Sequence, residues 1–349
     1  MKVYRNIFQS IIAPENLFAA WDTFKRDKRN KLDVAMFEQQ VERHLFQLHR
    51  ELKDQAYQHG PYEGFWIHDP KRRRSQKAAV RDRVLHHVIF RILNPIFEET
   101  FIPTSFSCRI GKGTHKGMKE LARMIRATGR NETRPCFALK CDVRKFFDSI
   151  DHDILLGILS ARIRDDDAMW LLREIIESFV TYRPNLFERR GLPIGNLTSQ
   201  IFANIYMNEF DQFVKHTLRV EHYVRYTDDF VIVSNEEKYL ASLLPRMRMF
   251  LSDTLRLDLH PQKISLKRHG QGVDFLGYVI LPHHIAVRTK TEHRMFRRLK
   301  ERVSVYRNDE ISENALFGSL RSYMGVLFHA DAYHLGQDVQ NSFWFWMKE

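Results

Sequence analysis

Two adjacent carboxylates at the tip of an apolar ribbon constrain this chain more than any other feature. Asp228-Asp229 follows Tyr223, Val224 and Tyr226 and precedes Phe230, Val231, Ile232 and Val233. β-branched and aromatic residues on both sides of a short polar break predict a β-hairpin over residues 222–234. An Asp-Asp turn by itself is ordinary, because Asp tolerates turn geometry and is well solvated. The setting is what matters here. Two apolar strands would hold the charged tip rigidly, and Phe137-Ala138-Leu139-Lys140-Cys141 reads as a further short strand that delivers a third carboxylate, Asp142. Carboxylates brought from separate strands to one small volume suit hard divalent cations, and a pair of such ions serves phosphoryl transfer.

The charge balance narrows the partner. The chain has 349 residues and a formal net charge of +12, which favours an acidic polymer or an anionic surface as partner. No apolar run is long enough to span a bilayer, so a membrane is not expected. Cys108, Cys136 and Cys141 are odd in number and form no C-x-x-C, so buried thiols in a reducing cytosol are expected rather than a disulfide framework or zinc site.

The rest of the chain reads as mixed helix and strand without a strict βαβ repeat, so α+β is the expected class. Leu17, Trp21 and Phe24 at helical spacing predict helix within residues 1–55. Gly60, Pro61, Gly64 and Pro70 punctuate 60–70, and the basic run Lys71, Arg72, Arg73, Arg74 follows. Val84, Val88, Ile92 and Ile96 predict a helix from about Arg81, kinked or ended near Pro95. Residues 101–117 read as loop, 151–180 as a helical stretch, 191–195 as a turn-rich break and Thr198 as near a helix start. From about 288 the chain is helical and basic.

Three segments together resemble the palm motifs of bacterial reverse transcriptases: A-L-K-C-D-V-R-K-F-F-D-S-I-D-H over 138–152, G-L-P-I-G-N-L-T-S-Q over 191–200, and R-Y-T-D-D-F over 225–230. The resemblance covers about residues 60–280. It implies a right-hand polymerase with a helical N-terminal region (1–59), fingers and palm (60–284) and a helical basic thumb (285–349). It implies an RNA-directed DNA polymerase that makes cDNA from template RNA and a primer with dNTPs, using two Mg²⁺ ions for which Mn²⁺ can substitute. The expected location is cytoplasmic.

Carried over residue by residue, the resemblance makes Asp142, Asp228 and Asp229 the catalytic and metal-holding carboxylates, with the Val143 carbonyl as a further ligand. Phe147 becomes the gate under the incoming sugar. Lys71 and Arg73 face the triphosphate, Ile194 and Gly195 face the nascent base pair, and Lys263 lies near the leaving pyrophosphate. Arg81, the loop residues Arg109, Lys112 and Lys116, and Arg297 and Arg298 on the thumb are expected to meet nucleic acid. Outside this context Phe147 would be plain core and the thumb arginines a solvated face.

Within the family, I-G-N-L-T-S-Q at 194–200 is similar to the enzymes of diversity-generating retroelements, which copy RNA with errors at adenines beside a small basic accessory protein. Ile194 stands where Gln is usual and Gln200 where Pro is usual. A defence-associated bacterial reverse transcriptase shares these features, whereas the retron Val-Thr-Gly is missing. With only a thumb expected after the palm, a group II intron maturase is the less expected branch. The opposing class is a catalytically silent RNA-binding module, against which all three aspartates stand.

Overall fold

A computed structural model of the chain describes residues 2–67, 72–181 and 189–349. Lys71, expected at the triphosphate, lies outside them. Four N-terminal helices, α1 (Ile7–Ile12), α2 (Pro14–Phe24), α3 (Leu32–Glu38) and α4 (Val41–Lys53), lead into a two-stranded hairpin, β1 (Glu63–Ile67) and β2 (Arg73–Lys77). The hairpin corrects the expectation of simple punctuation over 60–70. Its strands are short and largely exposed, with Phe65, Trp66 and Ile67 consecutive in β1 and β2 polar, so no apolar alternation announces them. α5 (Val80–Glu98) carries Pro95 in its last turn and ends three residues later.

α6 (Thr114–Thr128) begins inside the stretch expected as loop. β3 (Phe137–Asp142), the single turn α7 (Phe146–Ser149), and α8 (His152–Arg162) and α9 (Asp166–Glu177) follow. The last two replace one expected helical stretch. Asp165 splits them by capping α9 through its side chain, which accepts the Ala168 N–H. α10 (Leu197–Gln212) runs on into a π-helical turn and then the hairpin β4 (His222–Tyr226) and β5 (Asp229–Ser234). Beyond α11 (Glu237–Leu255) come β6 (Ser265–Arg268), then β7 (Val273–Phe275), β8 (Tyr278–Ile280) and β9 (Ile285–Val287), and the thumb helices α12 (Thr289–Arg307), α13 (Glu313–Leu327) and α14 (Tyr333–Lys348).

The palm is one antiparallel sheet in the order β4-β5-β3-β6. Its two faces feed different cores, as the two-residue side-chain period requires. Leu139, Cys141, Tyr223, Phe230 and Ile232 pack with the N-terminal helices, α5 and α8–α11. Ala138, Val224, Val231 and Val233 pack with α6, β7–β9 and the thumb helices. Each fully buried Val, Leu, Ile or Phe among them contributes about 1.5–3 kcal/mol. The sheet is therefore clamped from both sides, and its ends are held where the carboxylates emerge. Among the described residues, no helix is long and apolar enough to cross a membrane.

Candidate active site

Strand register brings the three aspartates together. Asp142 closes β3 directly opposite Asp229, which opens β5, and Asp228 occupies the intervening hairpin turn. The Asp228 carbonyl accepts the Val143 N–H at 3.1 Å, tying the turn to the residue after Asp142. On the other flank His260 N–H donates to the Asp142 carbonyl at 2.7 Å, and Arg144 N–H donates to that of Asp258 at 2.8 Å.

Like charges directly opposite across a ladder repel. Two ammonium groups offset this. Lys263 Nζ lies 2.6 Å from Asp142 Oδ1, and Lys140 Nζ lies 3.3 Å from Asp229 Oδ2. The other oxygen of Asp229, Oδ1, is buried and has no hydrogen-bond partner. Burial pushes the carboxyl of Asp228 up to about 6, and the charge on Asp142 adds to that; burial likewise lifts Asp229 to about 6, against the pull of Lys140. A site that raises two acids this far is short of positive charge. Its donors are all oxygens, which fits a hard divalent cation. Among the described residues no three acidic, histidine or cysteine side chains converge on one metal-sized point, and lysines hold two of the acids.

Lys140 belongs to this site although the sequence motifs do not single it out. Strand alternation was the available signal, since Lys140 and Asp142 share a face of β3 while Cys141 points to the core. Lys140 also approaches Asp274 at 3.9 Å, and Asp274 pairs with Arg288. Ala138, Lys140, Asp142, Lys263, Lys267 and Asp274 line a cleft of about 270 Å³ beside the carboxylates.

The other expected residues fall into three groups. Phe147 is half-buried against the palm core, beside the fully buried Phe146 at 5.4 Å between rings. Its carbonyl accepts the Leu192 N–H at 2.8 Å, so its turn is fastened to the segment that carries Ile194 and Gly195. That segment docks on the fingers. The Ile194 carbonyl accepts Ser75 Oγ at 2.8 Å and Gln76 N–H at 3.0 Å. Gly195 has φ +114°, and a Cβ there would come within 2.6 Å of Ser75 Oγ. Arg73 shares the face of β2 that holds Ser75.

Two expected nucleic-acid contacts turn inward instead. The Arg81 guanidinium binds Glu51 at 2.8 Å, Asp82 at 3.3 Å and the Gln58 carbonyl at 2.7 Å, locking α4 to α5. Arg109 is buried, with Glu98 at 2.7 Å, the Ile102 carbonyl at 2.7 Å and the Ser105 carbonyl at 2.8 Å. A buried guanidinium needs such partners, and they leave it no face for a phosphate. In this structure both arginines tie elements of the platform together. Lys112 and Lys116 cap carbonyls of their own loop, those of Pro103 and Gly111.

The third group lines the thumb. Arg288, Lys290, Arg294 and Arg297 surround a cleft of about 880 Å³ between the β7–β8 turn and α12. Arg298 points to Glu301 at 2.8 Å.

A family model described as "Reverse transcriptase (RNA-dependent DNA polymerase)" matches residues 69–280. The chain is 26% identical to protein YkfC of Escherichia coli over 58% of its own length and 61% of YkfC. It is 20% identical to the group II intron-encoded protein LtrA of Lactococcus lactis over 80% of its length and 57% of LtrA. The chain thus spans about three fifths of the length of these curated relatives. Among solved structures, telomerase from Candida albicans in complex with a TWJ fragment of telomeric RNA aligns over 84% of this chain and 61% of that one, at 12% identity and a TM-score of 0.49. The matched residues take in β2 of the fingers hairpin, all three aspartates and Lys263, and the chain belongs to the reverse transcriptase family.

Proposed function

We propose that this protein is an RNA-directed DNA polymerase that extends a primer on template RNA by two-metal nucleotidyl transfer. The observation that carries the reading is the register that sets Asp142 opposite Asp229 with Asp228 in the turn between strands. Asp142, Asp228, Asp229 and the Val143 carbonyl would hold two Mg²⁺ ions. When bound, such ions activate the primer 3′-hydroxyl and neutralise charge on the triphosphate.

The remaining residues take supporting parts. Lys263, paired with Asp142 here, would serve the pyrophosphate oxygens when that carboxylate holds a cation. Arg73, with Lys71, grips the triphosphate, as a guanidinium can do with two parallel bonds. Phe147 stands under the sugar and excludes a 2′-hydroxyl. Lys112, Lys116, Arg297 and Arg298 serve the template–primer backbone. Primer extension on a defined RNA with dNTPs and Mg²⁺ tests the reading. Cation-dependent cDNA is expected, and RNA binding without synthesis would instead support a silent RNA-binding module.

A finer reading concerns fidelity. The Ile194 side chain can neither donate nor accept a hydrogen bond, while its carbonyl is fixed to Ser75 and Gln76. Where a polar contact is stronger for the correct pair in the transition state, its absence lowers discrimination by about tenfold per 1.4 kcal/mol. We therefore read the enzyme as error-prone and of the diversity-generating retroelement type, working with a small basic accessory protein, with the defence-associated type as the alternative. Ile194→Gln is expected to lower misincorporation at template adenines, read by sequencing cDNA made in vitro. Equal error rates in both forms would contradict the fidelity argument.

A further inference from the structure

The hairpin turn that carries Asp228 has an unfavourable backbone. Thr227 sits at φ +56°, in the left-handed region, where a β-branched residue is costly. Such a conformation persists only when its surroundings over-determine it, and here two contacts to Thr227 and a buried network behind them do so. Thr227 Oγ1 donates to Ser107 Oγ at 2.6 Å. The Thr227 carbonyl accepts Arg225 Nη1 at 2.9 Å. Arg225, one of the largest fully buried side chains in the molecule, is locked in turn by Asp211 at the end of α10. Its Nε reaches Asp211 Oδ1 at 2.7 Å and its Nη2 reaches Oδ2 at 2.6 Å, while Tyr223 Oη donates to Oδ1 at 2.7 Å. Backbone bonds of 3.0 and 2.9 Å, from Arg225 N–H to the Thr104 carbonyl and from Phe106 N–H to the Arg225 carbonyl, lace β4 to the 101–113 loop.

A fully buried arginine is an expensive way to add stability, since replacing a buried ion pair by apolar residues is often neutral. Its geometry gives another reason for keeping it. Two donors meet one carboxylate side-on, and a third is left pointing at the one carbonyl beside Asp228. We propose that Arg225, held by Asp211, is a positioning residue that fixes the Thr227–Asp228 turn in the strained conformation from which the carboxylates meet metal and nucleotide. Ser107 acts as its counterpart from the loop. This rests on the polymerase reading above.

Lys in place of Arg225 keeps the charge next to Asp211 but has a single nitrogen, which cannot hold both Asp211 oxygens and the Thr227 carbonyl. The test is steady-state primer extension by Arg225→Lys, Thr227→Gly and the double variant, with melting temperature and RNA affinity measured on the same preparations. Arg225→Lys is expected to lower kcat tenfold or more and to raise the Mg²⁺ concentration for half-maximal rate. KM for dNTP and RNA affinity should stay within about twofold. Thr227→Gly removes the strain that Arg225 restrains, so the two losses should be less than multiplicative in the double variant. An unchanged kcat in folded Arg225→Lys would overturn the proposal, as would fully multiplicative effects. If Arg225→Lys does not fold, Ser107→Ala carries the test, with kcat lowered at unchanged melting temperature as the expected result and unchanged kcat as the contrary one. A parent protein that binds RNA but never extends a primer would defeat the polymerase reading itself, which is a separate outcome.

Discussion

At Asp228 and Asp229 a proton would compete with the proposed metal. Both carboxyls are lifted to about 6 by burial, so each holds a proton in the folded, metal-free chain at pH values where the unfolded chain has lost it. A folded-state pKa above the unfolded one gives stability that is present at low pH and lost as pH rises through about 4 to 6. The buried histidines act the other way. Burial lowers His59, His86 and His152 and takes His87 down to about 4, so their contribution disappears as pH falls below about 6.5. Two consequences follow for melting between pH 6 and 4, the first without metal and the second with Mg²⁺. The parent should lose melting temperature on acidification, and Asp228→Asn with Asp229→Asn should lose it more steeply, because the opposing pair is gone. The rise in parent melting temperature produced by Mg²⁺ should fade below about pH 6. A double variant with the shallower acid slope would contradict the assignment of these shifts.

Elements differ in how plainly the sequence announces them, for physical reasons. The β4–β5 hairpin is legible because Val, Ile, Phe and Tyr crowd both sides of a polar turn, and both faces of the strands are buried. The N-terminal and thumb helices are legible through their apolar period. β1–β2 is not, because an exposed two-stranded ribbon reading R-R-S-Q-K has no core to alternate toward. β7–β9, at three residues each, are too short to show a period. α6 is masked by the glycines and lysines at its start, though Met118, Leu121, Ala122 and Ile125 mark its buried stripe. In the site, the aspartates and Lys263 come from motif, whereas Lys140 and the Asp211–Arg225 lock depend on which face and which depth a side chain reaches. The inward turn of Arg81 and Arg109 has the same origin, since charge in a sequence does not say whether its partner is a phosphate or a neighbouring helix. The junction between fingers and palm gives a prediction at this scale. Gly195→Ala forces an L-residue to φ +114° and drives a Cβ into Ser75 Oγ. A loss of about 1–3 kcal/mol is expected in denaturant unfolding, and unchanged stability would show that the fingers hairpin does not rest on this residue.

Across the whole molecule, a palm sheet gripped by two cores joins the cationic fingers to a thumb cleft lined by Arg288, Lys290, Arg294 and Arg297. With a net charge of +12, binding to RNA should release counterions. Affinity should fall steeply and linearly with salt on a log–log plot, by about 0.7–0.9 in slope for each phosphate met. A flat line would mean that the basic surface serves something else. On the proposed reading the carboxylates serve the chemistry and the basic side chains the binding. Asp228→Asn with Asp229→Asn, assayed for primer extension and RNA affinity on the same template, tests the central claim most directly. Synthesis should be abolished while RNA affinity stays within about twofold of the parent; undiminished dNTP incorporation by the double variant would contradict the account.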